Sequence, residues 1–198
     1  MMHLFRAVLL CFAVSCEITG CVSIPPSNEA VNSSQVPAYH PHFELAGRIS
    51  VMKGQHGEFG QLRWIRSQEK QEIALLSLLG QTVAEISQSG KQSAMLRTDS
   101  EMRSASTFDA LVQDVLGTAV PIHDIAYWIQ GVTDTQSGQA AINESDSAGR
   151  PKKLVHTGWE ISIEGYRRLG AAIVATRLHA IKGDTVVKII IDEWTALP

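Results

Sequence analysis

Phe43-Glu44-Leu45-Ala46-Gly47-Arg48-Ile49-Ser50-Val51-Met52 decides the fold class. Phe43, Leu45, Gly47, Ile49 and Val51 alternate with Glu44, Ala46, Arg48, Ser50 and Met52. Successive side chains of an extended strand point to opposite faces, so this period of two makes one face apolar. Such a strand belongs to an antiparallel sheet with one side against a core. Downstream, Gln55-His56-Gly57 is a polar turn, and Leu62 and Trp64 then alternate with Gln61 and Arg63. A third run, 72–79, is apolar on both faces: Ile73, Leu75 and Leu79 on one, Ala74, Leu76 and Leu78 on the other. Gly80-Gln81 breaks it, and shorter strands at 83–87 and 93–97 flank Ser89-Gly90. The first half is a meander of about five antiparallel strands.

Two helices follow. Phe108, Leu111, Val112, Val115 and Leu116 form a stripe of helical spacing, with Thr107 as N-cap and Gly117 where a left-handed residue ends a helix. Pro121 suits a first helical position; Ile122, Ile125, Ala126 and Ile129 make the second apolar face, which Gly131 ends. Residues 132–150 are polar and read as a long loop or weak strand. Strands resume at 153–157, 160–164 and 174–181, and Lys182-Gly183-Asp184 turns into a last strand at 185–193. Strands, two helices, then strands describe an α+β domain with helices against one face of a curved antiparallel sheet.

Composition narrows the class further. The 198 residues are 44% apolar and 19% charged, with a net charge of −3, so the chain is globular. Acids and bases are interspersed, which excludes a basic nucleic-acid footprint. The three cysteines, Cys11, Cys16 and Cys21, all lie at the N-terminus. There, Arg6 precedes an apolar run from Ala7 to Val14, too short for the ~20 residues that span a bilayer but suited to a signal peptide. Ile18-Thr19-Gly20-Cys21 resembles a bacterial lipobox, in which the chain is cut before the cysteine and the cysteine is acylated. The division expected is a lipoprotein signal peptide at 1–20, a lipidated N-terminus and flexible tether at 21–42, and a folded domain at 43–198. Pro25, Pro26, Pro37 and Pro41 among Ser and Asn mark the tether. After cleavage the sulfur of Cys21 carries lipid, so no disulfide, cysteine nucleophile or cysteine metal site is expected.

Motifs for chemistry are missing. Gly54, Gly57 and Gly60 have neither the spacing nor the setting of a phosphate loop. There is no nucleophile elbow. His40-Pro41-His42 falls in the tether, and Asp192 and Glu193 are adjacent, so a strand points them to opposite faces. No catalytic residue, metal site or cofactor is expected. The apolar residues stand out instead: Trp64, Trp128, Trp159 and Trp194, and strands rich in Leu and Ile. Inward-facing apolar residues are either packed core or the wall of a hollow, and periodicity alone serves both. Leu78 and Leu79 stand before Gly80, where a turn is normally polar.

Several stretches, taken in order, carry a family resemblance. They are the lipobox at Cys21, the strand 44–51, Leu62-Arg63-Trp64, Leu75-Leu76-Ser77-Leu78-Leu79-Gly80, Val120-Pro121-Ile122, Tyr127-Trp128-Ile129-Gln130-Gly131, and the closing 188–194. The chain resembles the LolB family, the outer-membrane lipoprotein receptors of the bacterial lipoprotein-localisation pathway. The resemblance implies an open antiparallel half-barrel with helices over its concave side and an apolar cavity between. It implies a non-enzymatic monomer, anchored through Cys21 in the outer membrane and facing the periplasm. Val22 follows the anchor, where the family's sorting rule reserves Asp for the inner membrane. Such a protein takes cargo lipoproteins from the periplasmic carrier LolA, buries their acyl chains and inserts them into the outer membrane, without nucleotide or nucleic acid. Leu79 matches the family's protruding leucine, and Leu78, standing where the family often has Pro, shares its role. Facing alone nominates Leu45, Ile49, Leu62, Trp64, Leu75, Ile86, Leu111, Ile125, Trp128, Ile161 and Leu178 for the acyl-chain cavity. The alternatives are a structural lipoprotein scaffolding an outer-membrane assembly, with a filled core, and a periplasmic hydrolase, for which no local signature exists.

Overall fold

A computed structural model describes residues 37–198. The signal peptide, the Cys21 anchor and most of the tether lie outside the described residues. The first half is β1 (Phe43–Lys53), β2 (His56–Arg66), β3 (Lys70–Leu76), β4 (Thr82–Ser89), β5 (Ala94–Thr98) and β6 (Met102–Ala105). Then come α1 (Phe108–Leu116) and α2 (Ile122–Trp128). The second half is β7 (Ala141–Ser145), β8 (Pro151–His156), β9 (Trp159–Ile163), β10 (Tyr166–Leu169), β11 (Ala172–Ala175), β12 (Arg177–Lys182) and β13 (Thr185–Ala196).

Eleven strands form one sheet in the order β6-β5-β4-β3-β2-β1-β13-β12-β9-β8-β7, and β10 and β11 pair separately. The pairings are antiparallel throughout, and β6 and β7 are free edges, so the sheet is open rather than a closed barrel. The α+β class and the helix-covered open sheet expected from the sequence are what the chain forms. β1 lies at its centre, joining β2 to β13. Gly47 is required there: a Cβ would come within 2.1 Å of the Ile190 carbonyl oxygen, where the β1–β13 register shifts.

Two local expectations change, and the loop-or-weak-strand reading of 132–150 resolves to a strand. The 72–79 run ends at Leu76, because a bulge between Leu75 and Leu76 breaks the pairing with β4 and frees 77–81 as a turn. The 174–181 run is two strands, since β11 leaves the sheet to pair with β10 and returns through Thr176 as β12. The polar 132–150 stretch contains β7, an edge strand whose hydrogen bonds come from β8. The expected tether ends docked. Tyr39 stacks on Tyr127 at 3.9 Å, the Gln130 amide brackets the His40 backbone, and Leu197 donates to the His42 carbonyl. Burial of Tyr39 pushes its hydroxyl up to about 12.

Both helices lie on one face of the sheet but differ in what they cover. α1 starts at Thr107, whose hydroxyl accepts from the Ala110 amide, and ends at Gly117 with φ 62, as the stripe and its flanking residues predict. It lies over β4, β5 and β6. The α2 segment is packed deeper. The Trp128 indole donates to Nδ1 of buried His156 at 3.1 Å, which leaves Nε2 to donate to the Gly138 carbonyl. Trp159 lies 6.3 Å from the Trp128 ring. Ala175 donates to the Ile129 carbonyl at 2.8 Å, so the β10–β11 hairpin is tied to the end of α2.

A candidate acyl-chain cavity and its apolar loop

Between α1 and the β1–β5 part of the sheet lies an unfilled space of about 70 Å³. The sheet contributes Ile49, Ile73, Leu75 and Ile86; α1 contributes Val112 and Leu116. The wall follows from two periodicities: alternate positions of the strands face inward, and i, i+3, i+4 positions of α1 face down onto them. Glu58 is the lone ionisable residue in the lining. At the Val51–Glu58 end the space adjoins a wider polar cleft of about 590 Å³, bordered by Lys53, Gln55, His56 and Asp184.

Weak ties hold α1 over this space. Lys53 Nζ donates to the Gly117 carbonyl at 2.6 Å, Arg103 pairs with Asp114 at 3.2 Å, and the Thr118 and Thr185 hydroxyls meet at 2.9 Å. The first two are exposed, and exposed pairs contribute roughly 0–1 kcal/mol. In the first turn of α1, burial pushes the Asp109 carboxyl above the ordinary carboxylate range.

Of the eleven nominated residues, Ile49, Leu75 and Ile86 line this space. Leu45, Leu62, Trp64 and Leu111 are buried in the adjoining core, where Phe43 bridges Trp64 and Trp194 by ring contacts at 5.2 and 4.3 Å. Ile125, Trp128, Ile161 and Leu178 are fully enclosed in the core of the other half. Facing alone could not separate these groups, because the same alternation runs through hollow and filled regions. Val51, Phe59, Ile73, Ala84 and Leu96 of the sheet, Val112, Val115 and Leu116 of the α1 stripe, and Val120 and Ile122 complete the apolar wall; the signals for most of them were strand alternation and helical spacing.

Leu78 and Leu79 are 83% and 88% exposed. Their turn is closed from below: Gly80 donates to the Ser77 carbonyl, Ser77 donates to the Gln81 carbonyl, and the Ser77 hydroxyl accepts from the Gln81 amide. Gly80 has φ 78, a conformation that favours glycine. Both leucines are therefore held outward by a short turn.

Among the described residues no helix is long and apolar enough to cross a membrane. No group of three or more His, Cys, Asp or Glu among them could hold a metal ion.

The sequence profile of the outer membrane lipoprotein LolB family matches residues 41–194. The chain is 30% identical over 193 residues to the outer-membrane lipoprotein LolB of Azoarcus sp. (strain BH72), covering 98% of this chain and 96% of that one. It is 27% identical over 194 residues to LolB of Thiobacillus denitrificans (strain ATCC 25259 / T1), covering 98% of this chain and 100% of that one. The solved LolA superfamily protein NE2245 of Nitrosomonas europaea shares 10% identity at a TM-score of 0.48, over 80% of this chain and 87% of its own. With the profile spanning both helices and all but the last two residues of the sheet, the chain belongs to the LolB family of outer membrane lipoproteins and serves lipoprotein localisation.

Proposed function

We propose that the domain accepts lipoproteins from the carrier LolA by taking their acyl chains beneath α1, and passes them to the outer membrane with the help of Leu78 and Leu79. The observation that carries this reading is the space under α1: apolar on every side but one, unfilled, and roofed by a weakly tied helix. Three chains, or one protected by a partner's surface, need far more room than about 70 Å³, since small-ligand sites enclose ~300–1,000 Å³. Acceptance therefore requires α1 to lift from β4–β6. Lifting breaks exposed polar ties and apolar contacts, and the incoming chains restore the apolar contacts.

The driving force is burial. Each methylene removed from water contributes ~0.8 kcal/mol, so one long acyl chain left in water costs on the order of 10 kcal/mol. A receptor whose hollow is better by ~1.4 kcal/mol than the donor's shifts the cargo tenfold in its favour. No covalent step is needed, and none of the cavity residues forms a nucleophile–base pair.

Cys21 as the lipid anchor, the cut before it and the monomeric state belong to the same reading. The decisive experiment mixes the protein with a LolA–lipoprotein complex and asks which protein carries the cargo. Transfer without nucleotide is expected; cargo that stays on LolA contradicts the reading and favours a scaffold with a closed core. Leu79→Glu should keep acceptance but impair delivery into liposomes, and undiminished delivery removes the loop from the mechanism.

A further inference from the structure

The strand registers place more exposed apolar side chains beside the Leu78–Leu79 turn. Gln61 pairs with Leu76, so Phe59 lies two residues further out on β2, at the end of the sheet where β3 turns. Leu76 pairs with Thr82, which puts Val83 at the start of β4 at that same end. Ala84 pairs with Thr98, and Arg97 with Met102, so β6 begins there too. Phe59 is 78% exposed, Met102 62% and Val83 47%. Neighbouring strands are ~4.8 Å apart, so Phe59 and Met102 stand roughly 19 Å apart across β2–β6, with the leucine turn between them. Phe59 alternates with Glu58 and Gly60, and Met102 shares a face with Arg97, which alternates with the buried Leu96. Met102 therefore belongs to the outer face, away from the cavity, whereas Phe59, though largely exposed, borders the space under α1 at its edge.

We infer that this end of the sheet is a membrane-contacting rim, in which Phe59 and Met102 flank the leucine turn and enter the bilayer interface with it. The inference extends the reading of Leu78 and Leu79 given above and rests on it. Two observations select a bilayer over a protein partner. The exposed apolar residues sit on separate strands and a turn, strung over roughly 19 Å along one end of the sheet, which suits a deformable lipid phase more than a shape-matched surface. The chain outside the described residues also has the right length. It joins the domain at the opposite end of β1, whose eleven residues run ~35 Å. From Cys21 to Pro37 the backbone can span at most ~55 Å, enough for an anchored molecule to lay its far end on the membrane that holds it.

The test uses the full lipidated chain in phosphatidylethanolamine–phosphatidylglycerol vesicles. A fluorophore is attached at Phe59→Cys, Leu79→Cys, Met102→Cys or, at the other end of the sheet, Lys91→Cys, and quenching by spin-labelled lipid is measured. Quenching at 59, 79 and 102, but not at 91, is expected. Quenching at 79 with 59 and 102 as unquenched as 91 overturns the rim while leaving the leucine turn in place. No quenching at 79 as well overturns both. The variant Met102→Ser, outside the cavity lining, keeps its fold because the side chain is exposed. It should deliver cargo to liposomes about tenfold more slowly while accepting it normally; wild-type delivery would also overturn the rim.

Discussion

The two halves of this molecule use the same strands for opposite ends. Around β8, β9, β12 and β13, the α2 segment and the β10–β11 hairpin plug the inner face with Trp128, Val174 and Ala175, packed with Trp159 of β9, each at most 3% exposed. Around β1–β5, α1 spans the inner face without filling it, and Ile49, Ile73, Leu75 and Ile86 remain only partly buried. The filled half supplies the rigidity that a domain without a disulfide among its described residues must draw from packing. The half under α1 gives up packing to keep room, and the exposed apolar side chains Phe59, Leu78 and Leu79 occur on its side. Local stability is expected to be low where something must open.

The sharpest contrast comes from large-to-small changes. Trp128→Ala removes a fully buried ring and strands the His156 ring nitrogen, and should cost ~3–5 kcal/mol in denaturant unfolding. Ile49→Ala, at the rim of an existing hollow, should cost less than half as much. Equal losses would break the distinction between the halves.

Small-to-large changes invert it. Ala180→Phe in the filled core, where Ala180 is fully buried, should destabilise by ~1–3 kcal/mol or more. Ala84→Phe projects into the hollow, should leave stability within ~1 kcal/mol, and should abolish cargo acceptance from LolA by occupying the space. Retained acceptance would place the acyl chains elsewhere.

Loosening the roof is a smaller effect. Lys53→Met together with Asp114→Asn removes two exposed ties and should change global stability by ~1 kcal/mol or less. Amide exchange in α1 should nonetheless accelerate while that in β9 and β12 stays constant. Acceleration in both regions would show that α1 opens only with the whole domain.

The smallest effect is one of pH. Desolvation, then Lys188 on the neighbouring strand, holds the His179 imidazole below its ordinary value of 6.5. The unfolded chain therefore binds a proton at higher pH than the folded one. Stability is full above about 6.5 and falls as pH drops through that value. His179→Gln should flatten the fall in Tm between pH 8 and pH 5; an unchanged slope would assign it to other groups.

Much of this contrast was legible in advance, and its limits have physical causes. The alternation of Phe43–Val51, the stripe of α1 and its Thr107 and Gly117 caps were enough for the sheet, the helix and its ends. β10 and β11 were not legible, because 174–181 holds no glycine or proline and reads as one continuous strand, and what separates Val174–Ala175 from β12 is the tertiary tie from Ala175 to Ile129. β6 carries only Met102 and Ala105 as apolar residues and takes its strand form from pairing with β5. The leucine turn was visible as a local conflict, two apolar residues before a glycine. Its flanking Phe59 and Met102 were not, since only the register brings them to one end.

The central claim is that acyl chains enter the hollow half and not the filled one. Photo-crosslinking residues placed singly at Ile49, Leu75 and Ile86, and at Ile161 and Leu178, should be challenged with a LolA–lipoprotein complex. The account predicts adducts with the cargo's acyl chains at the first three positions and none at the last two. Adducts at Ile161 and Leu178 as frequent as at Ile49, or no adducts at any position after cargo has left LolA, would contradict it.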